Sequence, residues 1–151
     1  MTESGNGVDI QQAMRFLKEN QLLIGIPDES SNRPGGISNA ALLFIHTNGS
    51  SARGIPARPV IEPALEQDNV KAHISKLLRD VAISALVEDG SAMGLLEEAG
   101  DFAAREVQAH FTGGNNWPPN NEETVKRKGS GAPLIDTGAL RGSISHVIRK
   151  G

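Results

Sequence analysis

The chain has 151 residues and a formal net charge of −3 at pH 7, which argues against a generic nucleic-acid-binding protein because such proteins are usually strongly basic. A composition of 38% hydrophobic and 22% charged residues is that of a folded domain and excludes a disordered chain. The absence of cysteine excludes disulfides, thiolate catalysis and cysteine-ligated zinc.

The chain is predicted to begin with a helix and a strand. Apolar residues near helical spacing over residues 8–17 indicate the helix, and the apolar run 21–26, closed by Pro27, indicates a buried strand. The first ten residues lack the basic and apolar regions of a signal peptide, so none is expected. Because aromatic residues make up only 3%, the core is expected to be mainly aliphatic.

A second helix is predicted over residues 39–47. Ser38 is a suitable N-cap, and Asn48-Gly49 would end the helix with a left-handed residue. The helix is largely apolar and includes Phe44, so we expect it to be buried. After it, three prolines within residues 56–63 stiffen the backbone and remove donors, which predicts an ordered but irregular loop over residues 50–59.

The clearest periodicity lies in the middle of the chain. Apolar residues recur at three- and four-residue steps from Val70 to Ala85 and again from Leu95 to Phe111. Glu88-Asp89-Gly90 interrupts the pattern, and Gly113-Gly114 ends it. The two stripes therefore predict either an antiparallel helical hairpin or one long helix kinked at Gly90.

The last quarter is expected to combine loops with short elements. Trp117 is interpreted as a loop anchor packed on the core, and residues 122–128 as a short helix. Asp136 or Thr137 would cap a short turn that carries Leu140. The alternation in residues 143–149 predicts a strand with Ile144, His146 and Ile148 on one face.

These elements predict an α+β fold with a small antiparallel sheet packed against a long helix or helical hairpin, together with additional short helices. Residues 1–151 are interpreted as a single domain, with flexible loops at residues 28–36 and 113–121. No apolar stretch approaches the roughly 20 residues that a membrane span needs, so no membrane partner is expected.

Few residues are candidates for catalysis or metal binding. The four histidines are His46, His73, His110 and His146, and Glu106 stands four positions before His110, a spacing that metal sites use. No HExxH, GxSxG or phosphate-binding glycine motif is present. We therefore predict no cofactor, no metal and no catalytic residue, and interpret the chain as a protein that is not an enzyme.

Asp136 lies in an Asp-Thr-Gly tripeptide of the kind that aspartic proteases use. Those proteases are almost entirely β, and the long helical stripes contradict such a fold. Asp136 as a helix cap is therefore preferred. A hydrolase that uses Asp136, or a histidine with a carboxylate, is kept as an alternative.

Three segments in sequence order, residues 37–65, 70–111 and 117–151, resemble phage virion-morphogenesis and tail-completion proteins. The first contains ISNAALLFIHTNGSSARGIPARPVIEPAL, and the last contains PLIDTGALRGSISHVIR. The resemblance covers about three-quarters of the chain. It implies a structural neck subunit at the head–tail junction of the virion, made in the host cytoplasm.

The same resemblance implies a homo-oligomeric ring, a hexamer, that ends or joins the tail tube and lets DNA pass. Its partners would be other copies of the chain, tail-tube or terminator proteins and head-connector proteins, with non-specific contact to genomic DNA in the lumen. The residues assigned to subunit contact are Arg53, Ile55, Arg58, Asp136, Thr137, Leu140 and Arg141.

The uneven charge leaves one more alternative open. Basic residues crowd the C-terminal end, so the chain could instead be an accessory protein that contacts DNA with a basic edge. The residues expected to face DNA are Lys126, Arg127, Lys128, Arg149 and Lys150.

Overall fold

The computed structural model of the chain describes residues 10–28, 32, 36–113, 117 and 138–151. Its helices and strands are, in chain order, α1 (Ile10–Glu19), β1 (Asn20–Gly25), α2 (Asn39–Asn48), α3 (Ile61–Leu65), α4 (Asp68–Val87), α5 (Ala92–His110), α6 (Gly138–Gly142) and β2 (Ser145–Lys150). The fold is mixed α+β, with a two-stranded antiparallel sheet, a long helix pair and several short helices, as the sequence predicted.

The two long helices form an antiparallel hairpin, which decides between the two alternatives left open by the sequence. The ring of His73 in α4 packs against Phe102 in α5, with ring centroids 4.3 Å apart. The turn between the helices contains two residues with positive φ, Glu88 at 53° and Gly90 at 83°. A backbone of this kind reverses the chain and cannot continue a helix.

Asp89 fastens this turn to the end of α4. Its carboxylate accepts hydrogen bonds from the Ser84 hydroxyl and, at 2.9 Å, from the backbone N–H of Ser91. The hydrogen bond from Ser84 and that from Ser91 hold the pKa of the Asp89 carboxyl below its ordinary value, because both favour the ionised form. The turn is therefore held by side chains as well as by its backbone.

The sheet packs one face on α5 and leaves the other exposed. Leu22 pairs with Ile148 and Ile24 with His146 on the inner face, which confirms the predicted alternation in β2. On the outer face Leu23 pairs with Val147, and each of these side chains is 42% exposed. The prediction of a buried β1 was therefore wrong for its outer face, since nothing among the described residues covers that side.

Among the described residues the core includes two clusters that are mainly aliphatic, as expected from the low aromatic content. One lies beneath α3 and the C-terminal end of α5 and contains Leu43, Val60, Ala64, Val107, Phe111, Leu140 and Ile144. The other joins α1 to the α4–α5 hairpin and contains Ala13, Val81, Ala85, Ala92 and Leu96. Alanine is frequent where helices meet, which lets the backbones approach closely.

Helix α2 begins as predicted but is less buried than expected. Ser38 caps it, since its hydroxyl oxygen accepts a hydrogen bond from the N–H of Ala41 at 3.1 Å. Only Asn39 and Leu43 are buried, and Phe44 is 69% exposed. The expectation of a buried helix was wrong because apolar residues surround the whole of α2, while the core covers only one face.

Several predicted features lie outside the described residues. These are the helix over residues 122–128, the cap at Asp136 or Thr137, and most of the loops over residues 28–36 and 113–121. Among the helices that the structure describes, none has the length and apolar character needed to cross a membrane.

Candidate assembly surface

The loop over residues 50–59 is ordered and irregular, as predicted. Ser50 and Ile55 form an isolated β-bridge, with Ser50 donating to the Ile55 carbonyl at 2.8 Å and Ile55 donating back at 2.9 Å. A 3₁₀ turn over Ser51–Arg53 lies between them and ends at Gly54, whose φ of 63° is left-handed. The N–H of Arg58 then donates to the His46 carbonyl at 2.6 Å, which fastens the loop to α2.

Of the three loop residues assigned to subunit contact, two remain accessible. Arg53 is exposed at the tip and Ile55 is half-buried. Arg58 is only 6% exposed, and this burial lowers the pKa of its guanidinium below the ordinary value. Assigning Arg58 to a subunit contact was therefore wrong for this fold, because its side chain lies inside the subunit.

The second segment assigned to subunit contact, residues 136–141, also contains both a buried and an accessible residue. Leu140 in α6 is 0% exposed and belongs to the first core cluster, so its assignment to a subunit contact is corrected as well. Arg141, the next residue, is half-buried and keeps part of its surface accessible. Asp136 and Thr137 lie outside the described residues.

Trp117 packs on the core, as the sequence indicated. Its indole N–H donates to the Pro59 carbonyl at 3.0 Å. Its ring meets those of His110 and Phe111 edge-on, with centroids 5.6 and 5.9 Å apart. The single tryptophan therefore serves the packing between α5 and Pro59, at the end of the loop over residues 50–59.

His110 is buried at the end of α5, only 4% exposed. Its Nδ1 lies 3.4 Å from the amide nitrogen of Gln67, which is a donor, so Nδ1 accepts. Burial lowers the pKa of the imidazole below its ordinary value, because the charged form would lose hydration. We infer that His110 serves packing as a neutral ring.

Acidification is expected to reduce the stability advantage of the wild type over His110→Gln. The folded pKa of His110 lies below the unfolded value of about 6.5, so the unfolded chain takes up the proton more readily. Its contribution is complete above that value and is lost as the pH falls through the folded pKa. Urea unfolding of both proteins at about pH 7.5 and about pH 5.5 measures the change.

Subtracting the unfolding free energies of the two proteins cancels the titration of every group that they share. The difference therefore reports on His110 alone. A difference in unfolding free energy that grows on acidification would contradict the burial argument. It would mean that the protonated ring gains a partner in the folded state.

His146 joins the sheet to α5 through both nitrogens of its ring. Nε2 lies 2.5 Å from a carboxylate oxygen of Glu97, and Nδ1 lies 3.4 Å from one of Asp101. The ring rests directly on Gly100, where a Cβ atom would overlap ring carbons Cγ and Cδ2. The two carboxylates contact different nitrogens, on opposite sides of the ring, so they do not converge on a shared metal position.

The sequence placed His146 on one face of the strand with Ile144 and Ile148, but it did not indicate the partners of His146. The available signal was Gly100, a helix-breaking residue on the buried stripe of an otherwise strong helix. Across the part of the chain that the structure describes, no three His, Asp or Glu residues are grouped as metal ligands.

Of the five residues predicted to face DNA, two lie among the described residues. Arg149 and Lys150 are exposed at the end of β2, and the Arg149 guanidinium donates to the Gln21 side-chain oxygen at 2.8 Å. Lys126, Arg127 and Lys128 lie outside the described residues.

Large apolar side chains are exposed on five elements of the described chain, α1, β1, α2, α4 and β2. Their exposed fractions range from 40% at Leu78 to 69% at Phe44. The full set is Ile10, Met14, Leu17, Leu23, Phe44, Leu78, Ile83, Val87 and Val147.

Comparison of the chain with protein-family models, with curated proteins and with solved structures found no match.

Proposed function

We propose that this chain is a structural subunit of a phage head–tail junction, which forms a homo-oligomeric ring, a hexamer, that ends or joins the tail tube and lets DNA pass. The observation that carries the assembly role is the exposure of grouped large apolar side chains on α1, α4 and the sheet. Scattered apolar residues are normal on protein surfaces, whereas grouped ones mark interaction sites. The phage context is supported by the sequence resemblance alone.

The sheet offers a second route for assembly. Within the described residues each strand pairs only with the other, so each presents one unpaired edge. Two-stranded sheets are marginal by themselves, and a free edge can accept a strand from a neighbouring molecule. The exposed pair Leu23 and Val147 extends this surface to the outer face of the sheet. These features favour a partner that is a protein.

Three of the four histidines contribute to packing among the described residues. His73 packs on Phe102, His110 on Trp117, and His146 joins the sheet to α5. A role in assembly uses the exposed surface, whereas catalysis would need such groups to converge in a cleft. The geometry therefore favours a structural protein over an enzyme.

We expect the purified protein to form rings, or to join rings when tail tubes are added. Mass measurement and electron microscopy of the protein, alone and mixed with tail tubes, test this directly. The variant Arg141→Glu is expected to fold but not to assemble, because it reverses a charge at an accessible position in the turn. A wild type that stays monomeric even beside tail tubes would contradict the proposed function.

A DNA-contacting accessory protein is the second candidate. Residues 138–151 contain Arg141, Arg149 and Lys150 and no acidic residue. Binding to such an edge would release counterions, so affinity for short duplexes would fall steeply with salt. A strong, salt-dependent affinity in the absence of any ring would favour this candidate over the first.

A further inference from the structure

Helix α2 ends in an Asn-Gly pair, the dipeptide in which an asparagine side chain loses its amide most easily. Asn48 is exposed, and Gly49 has no side chain to shield its nitrogen. In this reaction the Gly49 nitrogen loses its proton and bonds to Cγ of Asn48, while the Cγ–Nδ2 bond breaks and ammonia leaves. Water then opens the five-membered ring to give aspartate or isoaspartate. The two residues therefore supply both reacting groups, and their conformation decides whether the groups meet.

The last turn of α2 holds the reacting groups apart. The Gly49 N–H donates to the Ile45 carbonyl at 2.7 Å, and Nδ2 of Asn48 donates to the Phe44 carbonyl at 2.9 Å. Ring closure needs the Gly49 nitrogen to lie close to the plane of Cβ, Cα and the carbonyl carbon of Asn48. A helical ψ of about −42° holds that nitrogen well outside this plane. Asn48 must therefore leave the helical conformation before it can react.

The loop over residues 50–59 holds this last turn in place. It packs so closely that a Cβ atom on Gly49 would lie 2.7 Å from two of its backbone atoms. A rotation at Asn48 swings the peptide plane that it shares with Gly49, and with it the next residue, Ser50. Because the β-bridge ties Ser50 to Ile55, this rotation cannot occur while the loop stays on α2.

We propose that Asn48-Gly49 is a modification site that the loop over residues 50–59 keeps closed and that reacts when this loop detaches from α2. Such local opening needs less free energy than unfolding of the whole chain. The inference does not depend on the proposed function, because it concerns a reaction within one chain.

Either product would change the junction between α2 and the loop. Aspartate at position 48 places a negative charge at the C-terminal end of a helix, where the helix dipole disfavours it. Isoaspartate adds one atom to the main chain, which displaces the N–H of Arg58 from the His46 carbonyl that it contacts at 2.6 Å. The modification therefore prevents the loop from closing again in its original position.

The rate of amide loss at Asn48 measures how well the loop protects it. We expect this rate to be at least about tenfold lower in the folded protein than in the same chain unfolded in urea. Mass spectrometry of the tryptic peptide of residues 19–53 follows the conversion, and fragmentation assigns it to Asn48. A sample taken at zero time corrects for conversion during digestion. Equal rates in the folded and unfolded chains would overturn the proposal.

Two glycine variants separate opening of the loop from unfolding of the whole chain. Gly54→Ala strains the loop at φ 63°, and detachment relieves the strain, so the rate should rise by about 5–30-fold. Gly100→Ala is the matched control, because it acts on the contact between α5 and His146 and leaves the loop unchanged. It should not alter the rate. Neither variant changes Asn48 or Gly49, so both should react like the wild type in urea.

The outcomes decide whether the loop controls the reaction. Equal acceleration by Gly54→Ala and Gly100→Ala would show that the reaction waits for global unfolding, and would overturn the proposal. Acceleration by neither would overturn it as well. In the converted protein, the Arg58 amide should exchange its hydrogen with solvent at least about tenfold faster, because its hydrogen bond to His46 is lost. Unchanged exchange would overturn the predicted effect on the loop.

Discussion

Replacing Gly49 with alanine is expected to lower the free energy of unfolding by about 2–5 kcal/mol. Gly49 ends α2 with φ 69° and ψ −175°, a backbone conformation that is essentially restricted to glycine. A Cβ atom there would lie 2.7 Å from both the Ala57 nitrogen and the Ile55 oxygen. These are backbone atoms of the loop that Arg58 fastens to α2, so they cannot move aside without breaking it. Urea unfolding monitored by circular dichroism measures the loss.

Gly54→Ala is a comparison in which the contact is absent and the backbone strain is milder. Gly54 also has a positive φ, 63°, but nothing lies within 4 Å of a Cβ atom placed there. Its replacement should therefore cost only the left-handed backbone strain, about 1–2 kcal/mol. Equal losses in the two variants would show that contact with the loop at Gly49 contributes nothing.

The helical part of the fold can be predicted from local sequence patterns. Amphipathic periodicity locates α4 and α5, and the turn residues between them mark the reversal, because each depends on neighbours within a few positions. The same holds for the Ser38 cap. At Gly49 the sequence correctly indicated a positive φ, but ψ of −175° is not left-handed helical, because the chain turns directly into the loop that packs beside it.

The long-range contacts of the fold could not be predicted from local sequence patterns. Asn20 pairs with Lys150 across almost the whole chain, and nothing local in either strand specifies that register. The exposure of Phe44 depends on where the core happens to end. A contact between Gly100 and the ring of His146 joins a helix to a strand 46 positions later, so neither residue alone indicates it.

The family resemblance predicted the segments of the candidate assembly surface better than it predicted the individual residues. It pointed to residues 53–59 and 136–141, and among the described residues of these segments Arg53 is exposed and Arg141 is half-buried. It did not distinguish accessible residues from buried ones, so Arg58 and Leu140 were placed at a surface although they lie inside the subunit. Burial depends on three-dimensional packing, whereas the resemblance compares positions along the chain. The exposed faces of α1 and α4 emerged only once the core was known.

Gly100→Ala is expected to destabilise the protein by about 1–3 kcal/mol, although glycine-to-alanine changes inside helices normally stabilise. The added Cβ would overlap Cγ and Cδ2 of His146. That ring is held by Glu97 and Asp101 and lies on β2, so relieving the overlap displaces the sheet from α5. Unfolding in urea measures the free energy, and the NMR chemical shifts of the His146 ring report whether it has moved.

The same helix supplies the matched control. Gly94 also lies in α5, and a Cβ atom at that position meets nothing within 4 Å. Gly94→Ala should therefore stabilise by about 0.5–1 kcal/mol, the ordinary helix-propensity gain. The prediction is thus one of opposite signs for the same substitution at two positions six residues apart. Stabilisation by both changes would contradict a close contact between Gly100 and His146.

Combining Gly100→Ala with His146→Ala tests whether the ring is the cause. In the His146→Ala background the overlapping atoms are absent, so alanine at position 100 should recover its helix-propensity gain. The interaction free energy from the double-mutant cycle should then be about 1.5–4 kcal/mol, the difference between a loss and a gain. An interaction free energy close to zero would mean that the destabilisation by Gly100→Ala does not come from contact with the His146 ring. A large value would establish that this glycine is present because the sheet packs on the helix through His146.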